Sequence, residues 1–356
     1  MDCFIISANT DVTKQEVKEL IKKDATCLTK SCIVRDVSVT DLAVLSYHCQ
    51  SALRVCLLIA EGKDIDHLSF TDLSLLKEKT FGAEHIKVLE DSLPSMDFAM
   101  EIGGQIQDLT GCAVNLSNPE IKIISCNDTK VLVGIDLIGF DMGKRPYKLM
   151  AYPGSISGAF AYCLLRLAGM TKKTSVVDPF CGSATIPIEA ALFTNQISPF
   201  KFGKPLLGTS LFPKEFEPFP IKENDVSICG FDHQVKVMLT AQKNAKIAGV
   251  QDRLLISKVA IDWLDAKFEE HSTDLLVTNP PKENKRTNNK KQIEKIYDEL
   301  FYQAKYVLKR KGTVGVLLHH EDMIQELAQK HGFTHKKTID LFSGKQSYIF
   351  CLFVAP

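Results

Sequence analysis

From Pro153 onward, short and nearly continuous apolar runs alternate with helical segments, and few folds accept that order. An apolar helix over Ala159 to Ala168 leads into Ser175-Val176-Val177, and a glycine-containing loop and a helix over Ile186 to Phe193 follow. The runs Ile228-Cys229-Gly230-Phe231, Val259-Ala260-Ile261 and Leu275-Leu276-Val277 come next. Strands that are apolar on both faces belong in a parallel sheet covered by helices on both sides, and such sheets bind ligands at the carboxyl ends of their strands. Each run ends on a polar side chain, in order Asp178, Asp232, Asp262 and Asn279. One such residue is an ordinary cap; four in succession predict a pocket.

The loop after the first run reads Asp178-Pro179-Phe180-Cys181-Gly182-Ser183-Ala184-Thr185. Its small residues let backbone approach a ligand, and the free N–H groups of the following helix suit the carboxylate of an amino-acid-bearing cofactor, with Asp178 taking the ammonium. A tight strand-to-helix turn with Cys181 as filler is the plainer alternative. The Gly-Lys-Ser/Thr ending of a phosphate loop and the dinucleotide GxGxxG are both missing. Asp232 is placed to accept from ribose hydroxyls, or else to cap a helix. Asp262 suits an adenine amine, or caps a turn. Asn279-Pro280-Pro281 is suited to hold a planar amine: the Asn279 amide oxygen and the Pro280 carbonyl accept from an exocyclic NH2, while the prolines fix φ and remove donors. That chemistry belongs to methylation of base amines. An aromatic usually follows such a tripeptide, but here the next residue is Lys282.

At 356 residues the chain suggests two or three domains. Residues 1 to about 60 mix strands at Phe4 to Ser7, Ser31 to Val39 and Arg54 to Ala60 with helices at Thr13 to Lys23 and Asp41 to Cys49, which fits a small α+β layer sandwich. Residues 63 to 150 continue the mixed style, with a helix near Asp97 to Thr110 and strands at Ile121 to Ser125 and Val131 to Leu137. With 43 basic and 43 acidic residues, no global field draws the chain to nucleic acid, so an RNA surface must be a local patch. The eleven cysteines form no CxxC pair, and several lie in apolar runs, as free thiols of a reducing cytosol do. The nine histidines show no ligand spacing with them, which argues against a metal. The first residues lack the basic region and apolar core of a signal peptide, and no run is long enough to span a bilayer. The expectation is a cytoplasmic monomer.

Asp178-Pro-Phe-Cys-Gly-Ser-Ala-Thr-Ile with Glu189-Ala-Ala, Gly230-Phe-Asp232, Lys243-Asn-Ala-Lys-Ile-Ala-Gly249 and Asn279-Pro-Pro281 together resemble class I S-adenosylmethionine-dependent methyltransferases of the RNA guanine-N2 group. Gly103-Gly104, Gly111, Val114-Asn-Leu-Ser-Asn-Pro119 and Val133-Gly-Ile-Asp136 resemble a THUMP domain, and Lys144-Arg-Pro-Tyr147 resembles the connection into the catalytic half. The resemblance implies a Rossmann-like α/β methyltransferase domain with a mixed, mainly parallel sheet over residues 151–356. Before it would stand a THUMP RNA-binding domain at 63–150 and a ferredoxin-like domain at 1–62. It implies S-adenosylmethionine as cofactor, bound by Asp178, Phe180, Cys181, Gly182, Ser183, Asp232, Asp262 and Asn279, and tRNA as partner, held at its 3′ end and methylated on guanine N2 at acceptor-stem position 6. The family commonly has glycine where Ala184 stands.

Lys282 to Lys311 holds ten basic and four acidic residues, so Lys282, Lys285 and Arg286 are candidates for the RNA backbone, beside Lys144 and Arg145. A solvated loop followed by an amphipathic helix would carry the same charge. For stacking on a flipped base, Phe180 or the alkyl stem of Lys282 is the nearest substitute for the missing ring. Two functions stay open: an active tRNA guanine-N2 methyltransferase, with another tRNA position or rRNA as variant, and an RNA-binding protein whose methyltransferase half keeps its fold but not its turnover.

Overall fold

The computed structural model describes the chain apart from residues 90–92, 151–153, 218, 284–288, 321–322 and 345. The chain forms two compact units, Met1–Gly143 with Lys204–Phe219, and Lys144–Gly203 with Pro220–Pro356. No helix among the described residues is long and apolar enough to cross a membrane.

The first unit begins with β1 (Cys3–Ser7), α1 (Thr10–Ile21), β2 (Ala25–Cys27), β3 (Ser31–Val34), α2 (Val39–His48) and β4 (Ala52–Gly62). It continues with β5 (Leu68–Phe70), β6 (Phe81–His85), α3 (Ser95–Thr110), β7 (Ile121–Asn127) and β8 (Val131–Asp136). The strand expected to run to Val39 stops at Val34, because Ser38 and Asp41 form a capping box that satisfies two orphan donors and claims Val39 for α2. The described strands form one sheet ordered β2-β3-β1-β4-β8-β7-β6, with β5 also on β4. Since β4 pairs with β1 on one side and β8 on the other, the stretches 1–62 and 63–150 share a sheet. The cysteine expectation needs one correction. Cys27 and Cys32 are direct cross-strand partners of the β2–β3 hairpin and are joined as a disulfide, a pairing that a search for CxxC spacing misses. The other nine cysteines lie outside any disulfide and are buried.

The second unit opens with α4 (Gly158–Leu167), β9 (Val176–Asp178) and α5 (Thr185–Thr194). Residues 204–219, with the short helix α6 (Gly208–Leu211), return to the first unit, where the Tyr47 hydroxyl donates to the Phe216 carbonyl at 3.1 Å. The second unit resumes with β10 (Ile228–Asp232), α7 (Val235–Ala248), β11 (Leu255–Lys258), β12 (Thr273–Thr278) and α8 (Lys290–Val307). It ends with β13 (Leu308–Leu318), α9 (Ile324–Lys330), β14 (Thr334–Ser343) and β15 (Gln346–Val354). Its described strands are ordered β11-β10-β9-β12-β13-β15-β14, parallel from β11 to β13 and antiparallel at β15 and β14.

Burial explains the order. Val177, Phe231 and Leu276 on the central strands are at most 1% exposed, and with Phe301 of α8 and Phe353 of β15 they belong to one core. Each such side chain contributes about 1.5–3 kcal/mol by leaving water. The strand expected at Val259-Ala260-Ile261 lies a little earlier, at Leu255–Lys258. It is an edge strand, half exposed and partly polar, so the search for apolar runs passed over it. The strand order reverses at β9, between β10 on one side and β12 on the other, and this is where a parallel sheet opens a ligand crevice.

Candidate active site

A cavity of about 810 Å³ lies at the carboxyl ends of β9, β10 and β12. Asp178, Asp232 and Asn279 all line it, so three of the four strand-end residues meet. Phe180, Cys181, Gly182 and Ser183 line it from the loop after β9, and Pro280, Pro281 and Lys282 from the loop after β12. Asp262 does not. It is exposed on the 3-10 turn Ile261–Trp263, beyond the end of β11 and outside the lining.

On the β9 side, Asp178 is 2% exposed and accepts from the Thr278 hydroxyl at 2.6 Å and the Phe180 amide at 3.1 Å. Burial pushes its carboxyl up to about 7, against the pull of those two hydrogen bonds and with a further push from Asp232. Neither donor is a cation. Asp232 accepts from the Gln234 amide at 3.0 Å, so it serves the start of α7 while still facing the cavity. The loop between is fixed by backbone: Cys181 donates to the Phe231 carbonyl at 2.8 Å, and the Asn244 side chain of α7 donates to the Ser183 carbonyl at 3.2 Å. A Cβ on Gly230 would stand 2.9 Å from Pro187 and 3.2 Å from Cys181, so only glycine lets the loop cross β10 this closely. Sequence reasoning missed a hydroxyl cluster here. Ser155 lies 2.9 Å from Ser183 and 3.2 Å from Thr185, and Lys148 donates to it at 2.9 Å.

On the β12 side, the Asn279 Nδ2 donates to the Gly154 carbonyl at 3.1 Å. That carbonyl fixes which way the amide points, and the Oδ1 atom is left buried with no hydrogen-bond partner. The Tyr297 hydroxyl of α8 donates to the Pro281 carbonyl at 3.1 Å and so tethers the tripeptide. Lys282 holds its ammonium 4.8 Å from the centroid of the Tyr348 ring, and burial pushes it down to about 8. It forms part of the cavity wall.

Of the residues expected to touch RNA, Lys144 is exposed. Lys285 and Arg286 lie outside the described residues. Arg145 is a correction: its side chain is 0% exposed, and its Nε and Nη2 grip Glu189 of α5 at 2.8 and 2.9 Å. The Tyr147 hydroxyl donates to the same carboxylate at 2.7 Å, and the guanidinium lies 5.4 Å from the Phe200 ring centroid. A basic pair in a turn resembles an exposed patch; what marked Arg145 as internal was Glu189, an acid inside the apolar α5 segment that needs a bidentate partner.

A mainly parallel sheet whose strand order reverses at β9, with a cavity at that point, is the architecture of a class I methyltransferase. The chain belongs to the RMKL-like methyltransferase domain family (UPF0020), whose model matches residues 145–348. Its methyl donor is S-adenosylmethionine, and the residues fit it: the uncompensated Asp178 carboxylate faces a cavity into which a cationic amino acid group can enter. Among curated relatives, the tRNA (guanine(6)-N2)-methyltransferase of Archaeoglobus fulgidus is 29% identical over 81% of this chain and 74% of that protein. The enzyme of the same name from Methanocaldococcus jannaschii is 29% identical over 67% of this chain and 65% of its own length. The crystal structure of TrmN from Thermus thermophilus aligns with a TM-score of 0.71 and 18% identity over all of both chains, a likeness of fold.

Proposed function

We propose that this chain methylates the exocyclic N2 of a guanosine in tRNA, at acceptor-stem position 6. The observation that carries the reading is the Asn279 amide, held by its nitrogen and left with a buried, unpartnered oxygen, on a residue that lines the cavity. An acceptor fixed in that way wants a neutral N–H, which an exocyclic amine supplies. The names of the archaeal relatives support guanine N2 and position 6. Residues 63–150 would serve as a THUMP module that captures the tRNA 3′ end, with residues 1–62 as its ferredoxin-like companion.

S-adenosylmethionine supplies an electrophilic methyl carbon on a sulfonium. Asp178 would take the ammonium of the donor's amino acid portion, the N–H groups opening α5 its carboxylate, and Asp232 would accept from the ribose hydroxyls. Asn279 Oδ1 and the Pro280 carbonyl accept the two N–H groups of the guanine amine. That holds the nitrogen in line and raises its electron density as the carbon–nitrogen bond forms, the methyl–sulfur bond breaks and one amine proton leaves to water. The test is incubation with labelled S-adenosylmethionine and unmodified tRNA, followed by mapping of the labelled nucleotide. The expected product is N2-methylguanosine at position 6. Donor binding without transfer to any cellular RNA would overturn the enzyme reading in favour of an RNA-binding protein.

A further inference from the structure

A base drawn out of its helix needs a flat face to lie on, and stacking is what offsets the lost base–base contacts. The residue after Asn279-Pro280-Pro281 is Lys282, which has no ring. Besides Phe180 and His233, the same cavity is lined by two rings that meet each other. Tyr348 stands on β15, and His319 follows directly after β13, the strand antiparallel to it, where Leu318 pairs with Ile349. The two rings stack with centroids 4.8 Å apart and planes inclined by 23°. The His319 Nδ1 lies 3.2 Å from the Ser347 carbonyl, which holds the imidazole in that plane.

Exposure assigns the roles. Tyr348 is 8% exposed, with the Lys282 ammonium over its ring, Phe160 inclined against it at 5.5 Å and its hydroxyl donating to Gln346 at 2.6 Å. It has no face left to offer. His319 is exposed and lines the cavity. Phe180, one of the two substitutes the sequence offers, also lines the cavity, but it is partly buried and packs against the core. We infer that His319, backed by Tyr348, is the stacking platform for the flipped guanine, and that Lys282 braces this platform in place of the aromatic that usually follows the tripeptide. The inference rests on the base-methylation reading and names the residue that receives the base.

Replacing the ring tests it. With the full chain and unmodified tRNA, His319→Ala should lower kcat/KM for methyl transfer about 10- to 100-fold, the range expected for one lost stacking contact, with donor affinity unchanged. His319→Phe should keep most activity, because a ring without ring nitrogens still stacks. Adding Lys282→Tyr to His319→Ala should recover much of the loss, which a merely structural defect would not allow. Independently of turnover, titrating guanosine 5′-monophosphate into the protein loaded with S-adenosylhomocysteine should move the His319 ring-proton NMR signals upfield, with the signals assigned by their absence in His319→Phe. Wild-type transfer to guanine that His319→Ala leaves intact, or His319 signals that do not move, would overturn the platform and leave the methylation reading standing. Methyl found on a different base, with His319→Ala still costing transfer, would keep the platform and overturn the guanine assignment.

Discussion

The loops after β9 and β12 end neighbouring strands and face one cavity, yet they offer it opposite chemistry. Asp178 is an ionisable acid that burial pushes up to about 7, with neutral donors around it. Asn279 is a neutral amide whose nitrogen is anchored and whose oxygen is left over. A carboxylate uncomfortable in its own charge is completed by a cation; an orphaned amide oxygen is completed by a neutral N–H. On the proposed function, the difference separates a donor side from an acceptor side, within about one strand spacing, using side chains of nearly equal size.

The largest effect should come from removing what holds the donor side up. Arg145→Ala leaves the Glu189 carboxylate buried without its bidentate partner and should cost about 3–5 kcal/mol in urea or thermal unfolding. Arg145→Met with Glu189→Gln should recover much of that. A loss in Arg145→Ala under 1 kcal/mol would mean that Glu189 finds other partners.

Asn279→Ala should lower methyl transfer by about 10²–10³-fold, the effect typical of losing one hydrogen-bonding group aimed at a reacting centre. Donor affinity, measured by calorimetry, should hold. An equally active variant would remove Asn279 from the acceptor side. Asp178→Asn should do the reverse and weaken donor binding by about 10²-fold. The pH dependence follows from the raised carboxyl. Below about 7 the free site is protonated and must release a proton to accept a cation, so affinity should rise about tenfold per pH unit up to 7 and level off above it. In the unliganded protein the sign for stability is opposite: between about 4 and 7 the folded chain keeps a proton that the unfolded chain has released, so raising pH through that window destabilises it. A donor affinity flat across pH 6 to 8 would contradict the assignment.

Much of the cavity's lining was legible in the sequence, because a central parallel strand must be apolar throughout and so makes its polar terminus conspicuous. Asp178, Asp232 and Asn279 each follow such a run and meet in the cavity. The same rule misplaced the third strand, because β11 lies on the edge and half of it faces water. Arg145 was misread because adjacent basic residues look alike whether they meet solvent or a buried acid far along the chain. His319 reads in the sequence only as a strand end and Tyr348 carries no motif; the two meet through antiparallel pairing of β13 with β15, which no spacing in the sequence encodes. The return of residues 204–219 to the first unit was equally silent.

The smallest effect concerns Ala184, between the donor loop and α5. It sits at φ 62°, ψ 30°, the left-handed region in which a Cβ crowds the following carbonyl. Glycine, which the resemblance leads one to expect at this point, escapes that cost, but it also has more freedom to lose on folding. The two terms oppose each other, and the steric one is the larger, so Ala184→Gly should stabilise the protein by at most about 1 kcal/mol. Function gives the sharper reading. If the alanine is merely strained, the variant gains stability and donor affinity stays put. If the methyl group also stands in the path of the donor, affinity rises too, and calorimetric titration against the Asn279→Ala protein separates the two, because that variant should leave the donor side untouched.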